Sequence, residues 1–135
     1  MIEFVIPGTP VAKARPRMTR QGHVYTPAKT KAAEERIRNL AIDAMDYREP
    51  VADPISINIV FSMPIPKSWT KAKRMEALTL ERFPTSRPDI DNLIKTVCDA
   101  CNAVVWEDDA QIVQMICSKV YVPEGCAETQ VEVSW

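Results

Sequence analysis

Arg87-Pro88-Asp89-Ile90-Asp91-Asn92-Leu93-Ile94-Lys95 is the stretch on which the rest of the chain is organised. Pro88 disfavours helix for Arg87, so a new element starts at about residue 89. From there Ile90, Leu93, Ile94, Val97, Cys98, Cys101 and Val104 recur at steps of three and four, which predicts a helix over 89–103 with one apolar face. Asp91, Asn92, Lys95, Asp99 and Asn102 lie on or near the opposite face. Residues two apart do not share a helix face, but they do share an extended one. With Asp89 as a still-extended N-cap and Asp91 in the first turn, both carboxylates converge while Ile90 turns inward. The positive end of the helix dipole favours both anions.

On the N-terminal side, alternation at Ile55, Ile57, Ile59, Phe61 and Met63 predicts a half-buried strand. A short helix over 69–82 follows, with Thr70 as its cap. Residues 2–6 read as a strand and 28–46 as a helix. Between them, residues 11–31 carry Pro16 and Pro27 and read as an extended loop or loose hairpin. Beyond the central helix come a loop over 104–109, strands over 112–122 and 129–135, and a turn at Pro123-Glu124-Gly125. Val131, Val133 and Trp135 fall on one side of the last strand, and Trp106 and Trp135 read as packing residues, Trp106 close enough to the acidic loop to position it. The order β-loop-α-β-α-α-β-β predicts an α+β fold, a mixed sheet with helices packed on one face and a closing hairpin. At 135 residues, 46% of them apolar, the chain fits one domain, 1–135.

Net charge is −1, but its distribution is uneven. Six basic residues and no acidic one lie between Lys13 and Lys31, whereas Asp99 to the end holds seven acidic residues and only Lys119. This predicts a basic surface beside an acidic site. Lys13, Arg15, Arg17 and Arg20, with Lys71, Lys73 and Arg74 of the second helix, are the candidate phosphate contacts; Tyr25 offers a ring for stacking. No apolar run reaches membrane-spanning length and the start lacks a signal-peptide layout. The expectation is therefore a cytoplasmic protein with its four cysteines reduced. His23 is the only histidine, which excludes a histidine-pair metal site. Cys98 and Cys101 fall on the apolar stripe and read as buried thiols rather than zinc ligands.

Asp109, with Asp108 beside it, completes an acidic set with Asp89 and Asp91. Three clustered carboxylates repel one another unless a cation neutralises them. Oxygen-only ligands suit Mg²⁺ or Mn²⁺, and such an ion activates water and steadies the leaving oxygen in phosphodiester hydrolysis. Lys95 lies one turn after Asp91 and either pairs with it or offsets developing charge on a phosphate.

The string R-P-D-I-D-N-L-I-K at 87–95, followed by D-A-C-N-A-V-V-W-E-D-D-A-Q-I at 99–112, resembles the RusA family of Holliday-junction resolvases. G-T-P-V-A-K-A-R-P-R and G-H-V-Y-T-P in the N-terminal third resemble its phage-type branch. The resemblance implies metal carboxylates at Asp89, Asp91 and Asp109, an essential lysine at Lys95, and less defined acidic positions at Asp99 and Asp108. It also implies a Mg²⁺-dependent homodimer that cuts two opposing strands of a four-way junction. The chain departs from the usual D-A-L-N-G at Cys101 and Ala103. Two other functions fit the residues: a catalytically silent branched-DNA-binding protein, and a metal-dependent phosphotransfer enzyme acting on nucleotides.

Overall fold

The computed structural model describes all residues, Met1–Trp135. Its elements are β1 (Ile2–Pro7), the short strands β2 (Arg17–Met18) and β3 (Val24–Tyr25), α1 (Ala28–Met45), β4 (Ile55–Pro64), α2 (Lys71–Leu78), α3 (Ile90–Cys101), a 3₁₀ turn (Asp109–Gln111), β5 (Ile112–Val122) and β6 (Glu128–Ser134). Four strands form one mixed sheet in the order β1-β6-β4-β5. β6 runs antiparallel to both β1 and β4, while β5 runs parallel to β4. No helix is long and apolar enough to cross a membrane.

The predicted closing hairpin is not formed. β5 and β6 are consecutive in the chain, yet β4 lies between them and pairs with both. The physical reason is burial. In that place β4 hides Ile55, Ile57, Ile59, Phe61 and Met63 on one face, set in register beside Val131 and Val133 of β6 and Met115 and Cys117 of β5. A hairpin would have left this most apolar strand at an edge.

α1 and α3 pack against each other and cover the sheet, α1 meeting β1 and α3 meeting β5. Along α1 the buried positions are Thr30, Ile37, Ala41 and Met45, one stripe at helical spacing. Asp46, at φ 48°, turns the chain into the left-handed region and ends the helix. α3 buries Leu93, Thr96, Val97, Cys98, Ala100 and Cys101, and burying a side chain such as Leu93 contributes about 1.5–3 kcal/mol. Burial pushes the Cys98 thiol up to about 12, and it raises Cys101 as well, so both remain neutral core groups. Ala103 follows at φ 63°, a left-handed position that glycine takes without Cβ strain.

α2 is shorter than the expected 69–82. Thr70 Oγ1 accepts from the Lys73 backbone N–H at 3.3 Å and starts it, and Leu80 at φ 60° lies beyond its end. The proline-rich loop does contain a small hairpin, Arg17 opposite Tyr25 and Met18 opposite Val24. Trp106 is fully buried. Trp135, expected on the packed side, is 41% exposed. It lies past the last residue of β6, outside the ladder, and the Arg48 guanidinium sits 6.0 Å from its ring centre.

Candidate active site

Asp89 occupies the N-cap position of α3 in extended conformation, φ −70° and ψ 142°, but its side chain makes no capping bond. Its carboxylate is exposed and free for a ligand. Asp91 stands in the first turn, also exposed, and its side chain's only hydrogen bond is the one Oδ1 accepts from the Asn92 N–H at 3.0 Å. The peptide bond between Arg87 and Pro88 is cis. Lys119 of β5 lies opposite Phe61. Its ammonium donates to the carbonyls of Ser86 at 3.1 Å and Pro88 at 2.8 Å, tying the lead-in of α3 to the sheet. The sequence offered one hint of such a role, because Lys119 is the lone base in an acidic third of the chain.

Asp109 is placed by a different route, near Lys95 and Cys98 of α3. The backbone of Val51 accepts from Glu107 at 3.2 Å and donates to Val105 at 2.9 Å, so the connector before β4 pins the loop. Gln111 Nε2 donates to the carbonyls of Val51 at 2.7 Å and Asp53 at 3.0 Å, while its Oε1 accepts from the Asp108 N–H at 2.7 Å. The indole N–H of buried Trp106 donates to Asp109 Oδ1 at 2.8 Å and orients the carboxylate. Trp106 was singled out from sequence as close enough to position this loop; Gln111 was not.

Lys95 pairs with Asp99, one turn further along α3, at 2.8 Å rather than with Asp91. That hydrogen bond, with the nearby charges of Asp99 and Asp109, holds the Lys95 ammonium above its ordinary pKa and keeps it charged. Lys95, Asp99 and Asp109 therefore share one electrostatic neighbourhood, with Asp89 and Asp91 at the head of the same helix. Side chains of three or more His, Cys, Asp or Glu residues are nowhere grouped closely enough to enclose a metal ion. The donor set fits Mg²⁺ in its chemistry, with oxygen atoms only and none of Asp89, Asp91 and Asp109 in an ion pair, but not as a preformed shell.

A groove of about 930 Å³ opens beside Asp89 and Asn92, with Arg15, Arg17, Lys29 and Arg87 among its walls. Arg15 and Arg17 were expected at a phosphate-binding surface, Lys29 belongs to the same basic run, and Arg87 joins them only through the fold. Arg20 is exposed near the tip of the small hairpin. Lys71 and Lys73 are exposed on α2, Lys73 over the Trp69 ring at 5.7 Å. Arg74 is spent on structure, donating to the carbonyls of Trp69 at 3.1 Å and Lys67 at 2.6 Å. Lys13 bonds to Glu34 and Asp99 and is not among the residues lining the groove, although Ala12 and Ala14 on either side of it are.

The sequence matches the family described as endodeoxyribonuclease RusA over residues 7–134. It is also 35% identical over 141 residues to a Bacillus subtilis (strain 168) protein described as uncharacterized protein YqaN, covering 98% of this chain and 97% of that one. The match spans the free carboxylates heading α3, Lys95 and the oriented Asp109, and the chain belongs to the RusA endodeoxyribonuclease family.

Proposed function

We propose that this endodeoxyribonuclease resolves four-way DNA junctions by paired, Mg²⁺-dependent hydrolysis of opposing strands. The observation that carries the reading is the basic groove opening onto Asp89 at the head of α3. Arg15, Arg17, Lys29 and Arg87 track the phosphates of a strand and lead it to the free carboxylates. Asp89, Asp91 and Asp109 would hold the ion, with Mn²⁺ as a substitute. Bound there, it would activate water and stabilise the leaving oxygen. Lys95, kept protonated by Asp99, offsets charge that develops on the scissile phosphate. Trp106 fixes the direction in which Asp109 presents its carboxylate. Paired cuts require two such sites related by a two-fold axis, hence a homodimer.

A labelled four-way junction, with linear duplex as control, tests this. Wild type is expected to nick opposing strands in Mg²⁺ and not in chelator, and Asp91→Asn to lose about 100-fold or more in rate. A second reading, a silent junction-binding protein, draws on the open arrangement of the carboxylates. Metal-independent binding with no cutting by wild type would establish it and overturn the first.

A further inference from the structure

Lys13 has the sequence context of a phosphate contact but not the surroundings of one. Its ammonium bonds to Glu34 of α1 and to Asp99 Oδ2 at 3.2 Å. Asp99 Oδ1 in turn accepts from Lys95 at 2.8 Å. The four side chains form a chain of alternating charge, Glu34–Lys13–Asp99–Lys95. Its first three members are about one-fifth exposed, at 23%, 22% and 23%, and its last is 58% exposed. The backbone repeats the connection. Lys13 N–H donates to the Asn92 carbonyl at 2.9 Å, and Ala14 N–H donates to Thr30 Oγ1 at 3.2 Å.

An isolated, exposed ion pair between residues four apart on a helix is too weak to hold a lysine in one rotamer. Asp99 is different because Lys13 clamps its other oxygen from outside the helix. We propose that Lys13 and Asp99 are positioning residues. Lys13 fixes Asp99, Asp99 fixes the Lys95 ammonium, and the N-terminal segment that carries Arg15 and Arg17 is thereby joined to the group acting on the phosphate. Lys13 itself does not touch DNA. The inference rests on the nuclease reading above, and it separates Lys13 from Arg15 and Arg17 of the same segment: they hold substrate, and it sets the site.

The test uses the full chain, a labelled four-way junction, and the variants Lys13→Met, Lys13→Arg and Asp99→Asn. Junction binding is measured in chelator over a salt series, and cleavage in Mg²⁺ over a series of junction concentrations. Losing a phosphate contact lowers the slope of log affinity against log salt by about 0.9. Lys13→Met is expected to leave that slope and the half-saturating junction concentration unchanged while cleavage at saturation falls about 10–100-fold. Lys13→Arg restores most of the rate. Asp99→Asn shows a similar loss, and combining it with Lys13→Met adds little further, as for residues acting as one unit. A reduced salt slope in Lys13→Met, or undiminished cutting by either Lys13→Met or Asp99→Asn, overturns the proposal. Should Lys13→Met fail to fold, Asp99→Asn decides the matter alone. A wild-type chain that binds but never cuts overturns the nuclease reading and this inference with it, whereas cutting by wild type and variants alike overturns only the inference.

Discussion

The two sources of carboxylate in the proposed site are built in opposite ways. Asp89 and Asp91 stand at the open head of α3, exposed and without ion pairs. Asp109 is held from below by the indole of fully buried Trp106, on a turn locked by Gln111 to the connector before β4. One arm is exposed and the other is tied to the core by a hydrogen bond. In the proposed metal site, the anchored carboxylate would set the direction of approach, and the exposed pair would complete the ligand set with no packed structure to disturb. It also places stability and activity in different residues, which is where the comparison is open to attack.

The largest effect is expected in the free arm. Asp89→Asn should lower junction cleavage by about 100-fold or more while changing stability by less than about 1 kcal/mol, because the side chain makes no capping bond and only its interaction with the helix dipole is lost. A drop in melting temperature matching that of a core variant would show that Asp89 is structural after all. Next comes Trp106→Phe, which keeps a ring in the core but removes the N–H that orients Asp109. Cleavage should fall about 10–100-fold with a raised Mg²⁺ requirement, and stability by about 1–3 kcal/mol. Full activity at unchanged Mg²⁺ requirement would mean that the orientation of Asp109 is not set by the indole. Gln111→Ala should have the smallest effect on chemistry. It leaves the Asp53 carbonyl without its side-chain donor and the Asp108 N–H without its acceptor, while Val51 keeps the Glu107 N–H, at a cost of about 1–2 kcal/mol, read as a lower midpoint in urea, with cleavage reduced several-fold at most. Loss of activity as complete as in Asp89→Asn would erase the distinction between the two arms.

The helical spacing from Ile90 to Val104 predicted α3 and its buried face, and the extended Asp89 beside a helical Asp91 followed from Pro88 and the change of period. The same logic found β4 and the Thr70 cap. It failed at the closing hairpin, because a short turn between two strands makes them neighbours only when no other strand buries more by coming between them. It failed at Trp135, because alternation does not say where a ladder ends. For Lys13, Arg74 and Lys119 it read charge but not partner. Each ammonium or guanidinium is drawn to acceptors brought close only by folding: Asp99 and Glu34 for Lys13, the Trp69 and Lys67 carbonyls for Arg74, and the Ser86 and Pro88 carbonyls for Lys119.

By itself the sequence determined the elements, the faces they bury and the residue types available for chemistry, since each of these rests on local spacing along the chain. Tertiary structure decided that β4 separates β5 from β6, that Lys29 and Arg87 share a groove with Arg15 and Arg17, that Lys95 answers to Asp99 instead of Asp91, and that Trp106 aims Asp109. Periodicity specifies which side of an element faces inward. It does not specify what waits there, because that depends on contacts between residues tens of positions apart, selected by the burial and hydrogen bonding of the whole chain.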